Sequence, residues 1–173
     1  MRVPIEKGRY LTLVNVYAPT MTYSVEGKET FYQELTHIVL MVPREDKLQI
    51  LGDFNARVGT DWETYKGIIH KFGKKKKISN GELLLNFCAQ LELSITNTFF
   101  YQPDKNYFTW KHPRSGHYHL LDYAITRKSD LIDVLCTKAM RGPECSTDRY
   151  LVRCQLRMKI TLSSRKISCK CQT

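Results

Sequence analysis

The fold is decided by the stretch Leu48-Gln49-Ile50-Leu51-Gly52-Asp53-Phe54-Asn55, an apolar run that ends in two polar side chains. Short aliphatic runs of this kind are typical of a buried strand. Asp53 and Asn55 follow at its carboxyl end, where the backbone leaves the sheet and both side chains can turn toward one pocket. The motif predicts a small polar site. Taken alone it is weak evidence, because Asp and Asn after a strand more often form turns.

Apolar periodicity predicts a strand and an amphipathic helix before this motif. Residues 10–17 are rich in β-branched and aromatic side chains, which favours a strand that stops at Pro19. The helix that follows presents its apolar residues at helical spacing and ends at Pro43. These residues are Phe31, Leu35, Ile38, Val39 and Val42.

A second helix and several short strands are predicted after the motif. Asn80 is a suitable N-cap for that helix. Its apolar face comprises Leu83, Leu84, Phe87, Cys88 and Leu91. Four strands are predicted at residues 93–96, 107–111, 119–126 and 133–139. The clearest period-two pattern comes last and predicts one buried face: Tyr150, Val152, Cys154, Leu156, Met158 and Ile160.

These elements predict an α/β (α+β) chain in which sheets pack on each other with helices outside. The 173 residues fit one domain, which we place at residues 1–160. Residues 161–173 are basic and lack periodicity, so we expect a disordered tail. Six cysteines are scattered along the chain, and we expect free thiols.

Charge and hydropathy narrow the class of partner. The formal net charge is +10, which favours nucleic acid first and an acidic membrane surface second. No apolar run approaches the roughly 20 residues that span a bilayer, and residues 1–8 lack the apolar core of a signal peptide. We therefore expect an intracellular protein that is not secreted and does not bind membranes, with a nuclear location plausible.

Four segments, in this order and spacing, resemble the endonuclease/exonuclease/phosphatase superfamily. They are Asn15-Val16-Tyr17-Ala18-Pro19, Leu51-Gly52-Asp53-Phe54-Asn55-Ala56-Arg57-Val58-Gly59, Leu120-Leu121-Asp122-Tyr123-Ala124-Ile125 and Ser146-Thr147-Asp148-Arg149. The resemblance is closest to the apurinic-type endonuclease domains of non-LTR retrotransposons and to craniofacial development protein 2-like sequences. It covers roughly residues 10–160. It implies a two-sheet β-sandwich flanked by helices and Mg²⁺-dependent hydrolysis of DNA phosphodiesters.

The resemblance also implies a role for each matching residue. Asp53 would activate the attacking water as a base, and Asn55 would hold the phosphate or that water. Tyr17 would donate its phenol to a phosphate oxygen, although a tyrosine before proline often only packs. Asp122 would orient a histidine, as a buried carboxylate does in a catalytic triad. Asp148 would help to bind Mg²⁺, a cation that takes oxygen ligands, although it could merely cap a turn.

Trp110 and Arg149 are the candidate substrate-binding residues. Trp110 would stack on or wedge beside DNA, although packing is the more common role of a tryptophan. Arg149 stands where the family usually has a histidine. A guanidinium can neutralise a phosphate but cannot shuttle a proton at neutral pH. The loss of one general acid–base partner commonly lowers the rate by ~10²–10⁴-fold.

A second departure concerns the amino-terminal side of the family pattern. Nine residues precede Tyr10, and the metal-binding Glu of the family has no counterpart among them, since Glu6 stands in no matching motif. We therefore expect a sandwich that is incomplete at the N-terminus. The run Lys74-Lys75-Lys76-Lys77 is a third departure, and a solvated loop is its more common role.

Two functions from different classes remain open on the sequence. One is a Mg²⁺-dependent DNA endonuclease of retrotransposon type, with activity lost or impaired. The other is a non-catalytic remnant that binds nucleic acid through its basic surface, DNA more readily than RNA. A phosphatase is allowed by the superfamily but is less favoured by the retrotransposon-like motifs, and a truncated gene product without function is a further alternative.

Overall fold

A computed structural model describes residues 1–141 and 148–158 of the chain. The helices are α1 (Val25–Met41) and α2 (Ser79–Gln90). The strands are β1 (Arg2–Pro4), β2 (Tyr10–Tyr17), β3 (Lys47–Asp53), β4 (Leu93–Ile95), β5 (Trp110–Lys111), β6 (Tyr118–His119), β7 (Asp122–Arg127), β8 (Val134–Ala139) and β9 (Val152–Leu156). Four short 3-10 turns complete the described elements: Glu6–Gly8, Thr96–Thr98, Asp104–Asn106 and Lys128–Asp133.

The main sheet has five strands in the order β1-β2-β3-β7-β4. Strands β2 and β3 are parallel, and the other neighbours are antiparallel. Parallel pairing requires a crossover, which α1 provides between the two strands. The predicted strands at residues 10–17 and around Leu48–Leu51 are confirmed.

The helices cover one face of this sheet. Leu48 and Ile50 of β3 belong to the same buried cluster as Leu35 of α1 and Leu84 of α2. Side chains alternate along a strand, so these even-numbered residues of β3 face the helices. The oxygen Oγ of Ser24 caps α1 by accepting from the Gly27 amide at 3.1 Å.

Strands β8 and β9 form a ribbon against the opposite face. The hydroxyls of Thr96 and Thr137 lie 2.8 Å apart, and the Cys154 thiol donates to Oε1 of Gln49 at 3.8 Å. Side chains of β9 alternate between half-buried and exposed, as the period-two pattern predicts. The α/β fold class with packed sheets and outer helices is therefore confirmed, with a second layer of two strands in the part that the structure describes.

Several details of the sequence prediction are wrong. The N-cap of α2 is Ile78, and Asn80 is a buried residue inside the helix. Ile38 of α1 is 46% exposed, so the buried face of that helix is narrower than its apolar pattern. The strand expected at 107–111 shrinks to β5, because Tyr107 follows the turn at Asp104–Asn106 and is itself buried.

The strand expected at 119–126 is two strands, β6 and β7, separated at Leu120 and Leu121. There the hydroxyl oxygen of Thr109 accepts from the amides of Leu121 and Asp122, both at 3.1 Å. At this break a side-chain hydroxyl therefore takes the place of the backbone carbonyls of a neighbouring strand as hydrogen-bond acceptor.

Other expectations fall partly outside the described residues. Cys88, Cys136 and Cys154 are free, as expected. Ser146, Thr147, Ile160 and the tail at 161–173 lie outside the described ranges, as do the other three cysteines. Within those ranges no helix is long and apolar enough to cross a membrane.

Candidate active site at the carboxyl edge of the sheet

Three predicted site residues lie side by side at one edge of the main sheet. Tyr17 ends β2 and is the register partner of Asp53, which ends β3. Asp53 is in turn the register partner of Asp122, which begins β7. Directly paired residues project from the same face, so these side chains converge. Tyr17 is 70% exposed, which places its phenol at the surface and not in the core.

The glycine and asparagine of the motif shape this edge. Gly52 has φ +148°, and a Cβ there would lie 1.9 Å from the carbonyl oxygen of Val16. Only glycine permits this close approach of β2 and β3. Asn55 has φ +45°, a left-handed conformation that asparagine tolerates, and its amide donates to Oδ1 of Asp53 at 2.8 Å. One oxygen of Asp53 therefore fixes the turn, which leaves Oδ2 for other partners.

Asn80 holds the loops on either side of the edge together, a role that sequence reasoning missed. Its Nδ2 donates to the carbonyls of Pro19 and Asn55, at 3.1 and 3.0 Å. Nδ2 of Asn55 in turn donates to the carbonyl of Ala18 at 2.8 Å. The carboxamide of Asn55 is thus committed, at its nitrogen, to backbone. The only sequence signal for this link was a polar residue amid the apolar pattern of α2.

A short extended segment, residues 148–150, delivers a cation to the edge. It runs antiparallel to β5, since the Lys111 amide donates to the Asp148 carbonyl at 2.9 Å. The Tyr150 amide donates to the Thr109 carbonyl at 2.8 Å. The residue between them is therefore held beside β5, and its side chain reaches the sheet edge.

That residue is Arg149, and its guanidinium lies between the two carboxylates. Nη2 is 2.5 Å from Oδ2 of Asp53, and Nη1 is 3.2 Å from each carboxylate oxygen of Asp122. The side chains of Asp53 and Asp122 are only 6% and 18% exposed, whereas that of Arg149 is 35% exposed. One cation is thus shared by two largely buried anions, which would otherwise repel each other across the register pair.

The electrostatics of Asp122 reflect this crowding. Burial raises its pKa to about 6, because desolvation disfavours the ionised form. The negative charge of Asp53 acts in the same direction, whereas Thr109 and Arg149 act against it. Asp122 therefore titrates close to neutral pH.

Asp148 and Trp110 lie next to this centre and bind each other. The indole Nε1 of Trp110 donates to Oδ2 of Asp148 at 2.5 Å. The ring also lies 5.2 Å from that of His112 and 5.6 Å from that of His119. Asp148 is exposed, and its assignment as a metal ligand stays a prediction, as does a DNA contact of Trp110.

The Mg²⁺ ion that the family resemblance implies would need the carboxylates at this edge as ligands. Asp53 and Asp122 face a guanidinium, and one oxygen of Asp148 faces an indole N–H. Among residues 1–141 and 148–158, no group of three or more His, Cys, Asp or Glu side chains is placed to hold a metal. In this arrangement the described residues do not fit a Mg²⁺ ion.

Comparison with known proteins supports the fold. No model of a known protein family matches the chain. The chain has 36% identity over 153 residues to craniofacial development protein 2 of Bos taurus, covering 88% of this chain and 25% of that protein. It therefore spans about a quarter of the length of this curated relative.

Two solved structures share the fold at low sequence identity. The 3′ phosphatase NExo from Neisseria, solved with a product DNA hairpin, has a TM-score of 0.62 and 18% identity over 85% of this chain and 61% of that one. The endonuclease domain of TRAS1, a telomere-specific non-LTR retrotransposon, has a TM-score of 0.57 and 18% identity over 85% of this chain and 57% of that one.

The likeness to these two solved structures shows that the chain shares their fold. The resemblance of the sequence to craniofacial development protein 2 is confirmed.

Proposed function

We propose that this chain is part of a nuclease-derived domain that binds nucleic acid, DNA more readily than RNA, and that its phosphodiester hydrolysis is lost or strongly impaired. The observation that carries the proposal is the shared ion pair of Arg149 with Asp53 and Asp122. The nuclease-derived fold supports nucleic acid as the partner, and the ion pair supports the loss of hydrolysis.

The ion pair opposes catalysis in two ways. A general base must reach the proton that it abstracts within hydrogen-bonding distance, and Oδ2 of Asp53 already contacts the guanidinium at 2.5 Å. The guanidinium stays protonated at every physiological pH, so Arg149 cannot take a proton in place of a histidine. Asp122, expected to orient that histidine, is bonded to Arg149 instead.

Charge and fold support a nucleic-acid partner. The net charge of +10 favours a polyanion. The fold neighbours include a phosphatase solved with a DNA hairpin and a retrotransposon endonuclease. A nuclear location would fit such a partner.

A second candidate is an active Mg²⁺-dependent DNA endonuclease. It is favoured by the register of Tyr17, Asp53 and Asp122, which places a phenol and two carboxylates at one edge. In this alternative Arg149 would leave the carboxylates to bind a phosphate, and Asp148 would hold the metal. The alternative therefore requires a rearrangement of the centre.

A nicking assay separates the two candidates. Supercoiled plasmid and an abasic-site duplex are incubated with the chain in Mg²⁺, beside an Asp53→Asn control. The proposal predicts equal, background cleavage by both proteins. It also predicts binding to labelled DNA that weakens steeply between about 50 and 200 mM salt, because phosphate contacts release counterions. Cleavage that Asp53→Asn abolishes would establish the second candidate, and absence of salt-sensitive binding would reject the first.

A further inference from the structure

A row of three aromatic rings lies next to the segment that carries Arg149. The ring centroids of Phe108 and Tyr118 are 6.3 Å apart, and those of Tyr118 and Tyr150 are 6.5 Å apart. Successive ring planes are inclined by only 31° and 35°. All three residues are half-buried, so each ring is fixed by packing and still reaches solvent.

Every ring in this row has a cation above it. Nζ of Lys75 lies 5.6 Å from the centroid of Phe108, and Nζ of Lys111 lies 5.7 Å from that of Tyr118. The guanidinium of Arg141 lies 3.8 Å from the centroid of Tyr150 and 5.0 Å from that of Tyr118. We call these six residues the aromatic row: Phe108, Tyr118, Tyr150, Lys75, Lys111 and Arg141.

The aromatic row lies beside the candidate active site, on the other face of β5, because neighbouring residues of an extended segment project to opposite faces. Tyr150 directly follows Arg149 in the sequence. Lys111 and Tyr118 are register partners across β5 and β6, and the Lys111 amide donates to the Asp148 carbonyl.

We propose that the aromatic row binds single-stranded nucleic acid, with bases stacked on its rings and phosphates held by its three cations. The proposal rests on the nucleic-acid binding proposed above and names its preferred form. Neighbouring aromatic rings flanked by cations match unpaired bases joined by phosphates. A duplex keeps its base faces stacked inside, so it can offer this surface only its phosphates. Lys75 and Lys111 are exposed and can leave the ring faces to follow a backbone.

The test compares the affinities of two labelled DNAs for the full chain by fluorescence anisotropy. One is a mixed-sequence single strand, and the other is the same strand annealed to its complement. Wild-type protein is expected to bind the single strand more tightly. Tyr118→Leu and Tyr150→Leu are each expected to weaken single-strand binding at least about fivefold, the lower limit for one stacked base. Duplex binding should be nearly unchanged in both variants.

Two controls are matched to these variants. Tyr10→Leu removes a tyrosine that also has a guanidinium over its ring, that of Arg2 at 4.1 Å, at the opposite end of β2 from the site. Arg9→Met removes an exposed cation near the same end and should leave the single-strand preference unchanged, whereas Lys111→Met should weaken single-strand binding. Thermal unfolding of each variant identifies any that fail to fold.

The outcomes separate the two proposals. Equal affinity for single strand and duplex, or equal loss in Tyr118→Leu and Tyr10→Leu, would overturn the aromatic row while leaving nucleic-acid binding intact. If Tyr118→Leu unfolds, the Tyr150→Leu and Lys111→Met results decide. Failure of the wild-type chain to bind either DNA would reject the function proposed above, and the aromatic row with it.

Discussion

The two ends of the main sheet each bury a carboxylate beside an arginine, but in different proportions. At one end Asp46 accepts from Nε and Nη2 of Arg2, at 2.8 and 3.0 Å, and from the Thr12 hydroxyl at 2.9 Å. At the other end Arg149 alone faces both Asp53 and Asp122. Asp46 has Arg2 as its direct partner and Arg127 as a second nearby cation, whereas at the second end one cation lies between two anions.

The pKa values follow this difference. Hydrogen bonds from Arg2 hold the pKa of Asp46 below its ordinary value, whereas burial raises the pKa of Asp122 to about 6. The Asp46 end is a satisfied structural pair. At the Asp122 end, the single positive charge of Arg149 does not balance the two carboxylates. An ionisable group with a perturbed pKa is typical of a functional centre.

The largest expected effect comes from removing the shared cation. Arg149→Met should lower the free energy of unfolding by about 2–4 kcal/mol at pH 7.5, because it leaves two largely buried carboxylates without their shared cation. Arg2→Met should cost less, since the Arg2 side chain is 50% exposed and Asp46 keeps its bond from Thr12. Urea unfolding of both variants measures the difference. Equal losses would break the comparison between the two ends.

The second effect is an opposite dependence of stability on pH at the two ends. Because the pKa of Asp122 is raised in the folded state, its protonation stabilises the fold. This contribution to the free energy of unfolding is fully present below pH about 4 and is lost as the pH rises toward about 6. Asp122→Asn should therefore gain about 2–3 kcal/mol relative to wild type between these limits. Asp46 has a lowered pKa, so its stabilisation is present above about pH 4 and lost as pH falls through the folded value.

The free energies of unfolding of Asp122→Asn and Asp46→Asn, measured from pH 3 to pH 8, check that the two pH dependences are opposite. Asp46→Asn should be destabilised at neutral pH and approach wild type in acid. A parallel response of the two variants would show that the ends do not differ as described.

The smallest effect concerns the brace behind the candidate site. Asn80→Ala should lower the free energy of unfolding by about 1–2 kcal/mol, because two loop carbonyls lose their donor. Asn86→Ala is the matched control, an exposed asparagine on the same helix. Hydrogen exchange should accelerate at the Asn55 amide in Asn80→Ala only. Unchanged exchange there would remove Asn80 from the support of the site.

The sequence predicted the strands β2 and β3 that carry the site, because β2 is rich in β-branched and aromatic side chains and β3 is a short, largely buried apolar run. The family resemblance implied that Tyr17, Asp53 and Asp122 belong to one site, and the strand register places the three as neighbours. The position of Arg149 between the carboxylates could not be predicted. A departure from the motif says which residue is present but not which atoms it meets.

Other failures have local physical causes. Asn80 has the composition of a cap, yet the loops that pack on α2 offer it two carbonyls, and tertiary contacts override the capping preference. The split between β6 and β7 depends on the Thr109 hydroxyl, which accepts from the amides of Leu121 and Asp122. These residues are 12 and 13 positions further along the chain, so the periodicity of the sequence does not predict the contact. Short strands such as β5 are set by such contacts more than by propensity.

A Mg²⁺ titration followed by carboxyl carbon NMR tests most directly whether Arg149 occupies the place between Asp53 and Asp122. In the wild-type chain, the carboxyl resonances of Asp53 and Asp122 should stay unchanged through millimolar Mg²⁺, because the guanidinium holds both groups. A saturating shift of both resonances in the wild-type chain would show that the metal displaces Arg149, and would contradict the account.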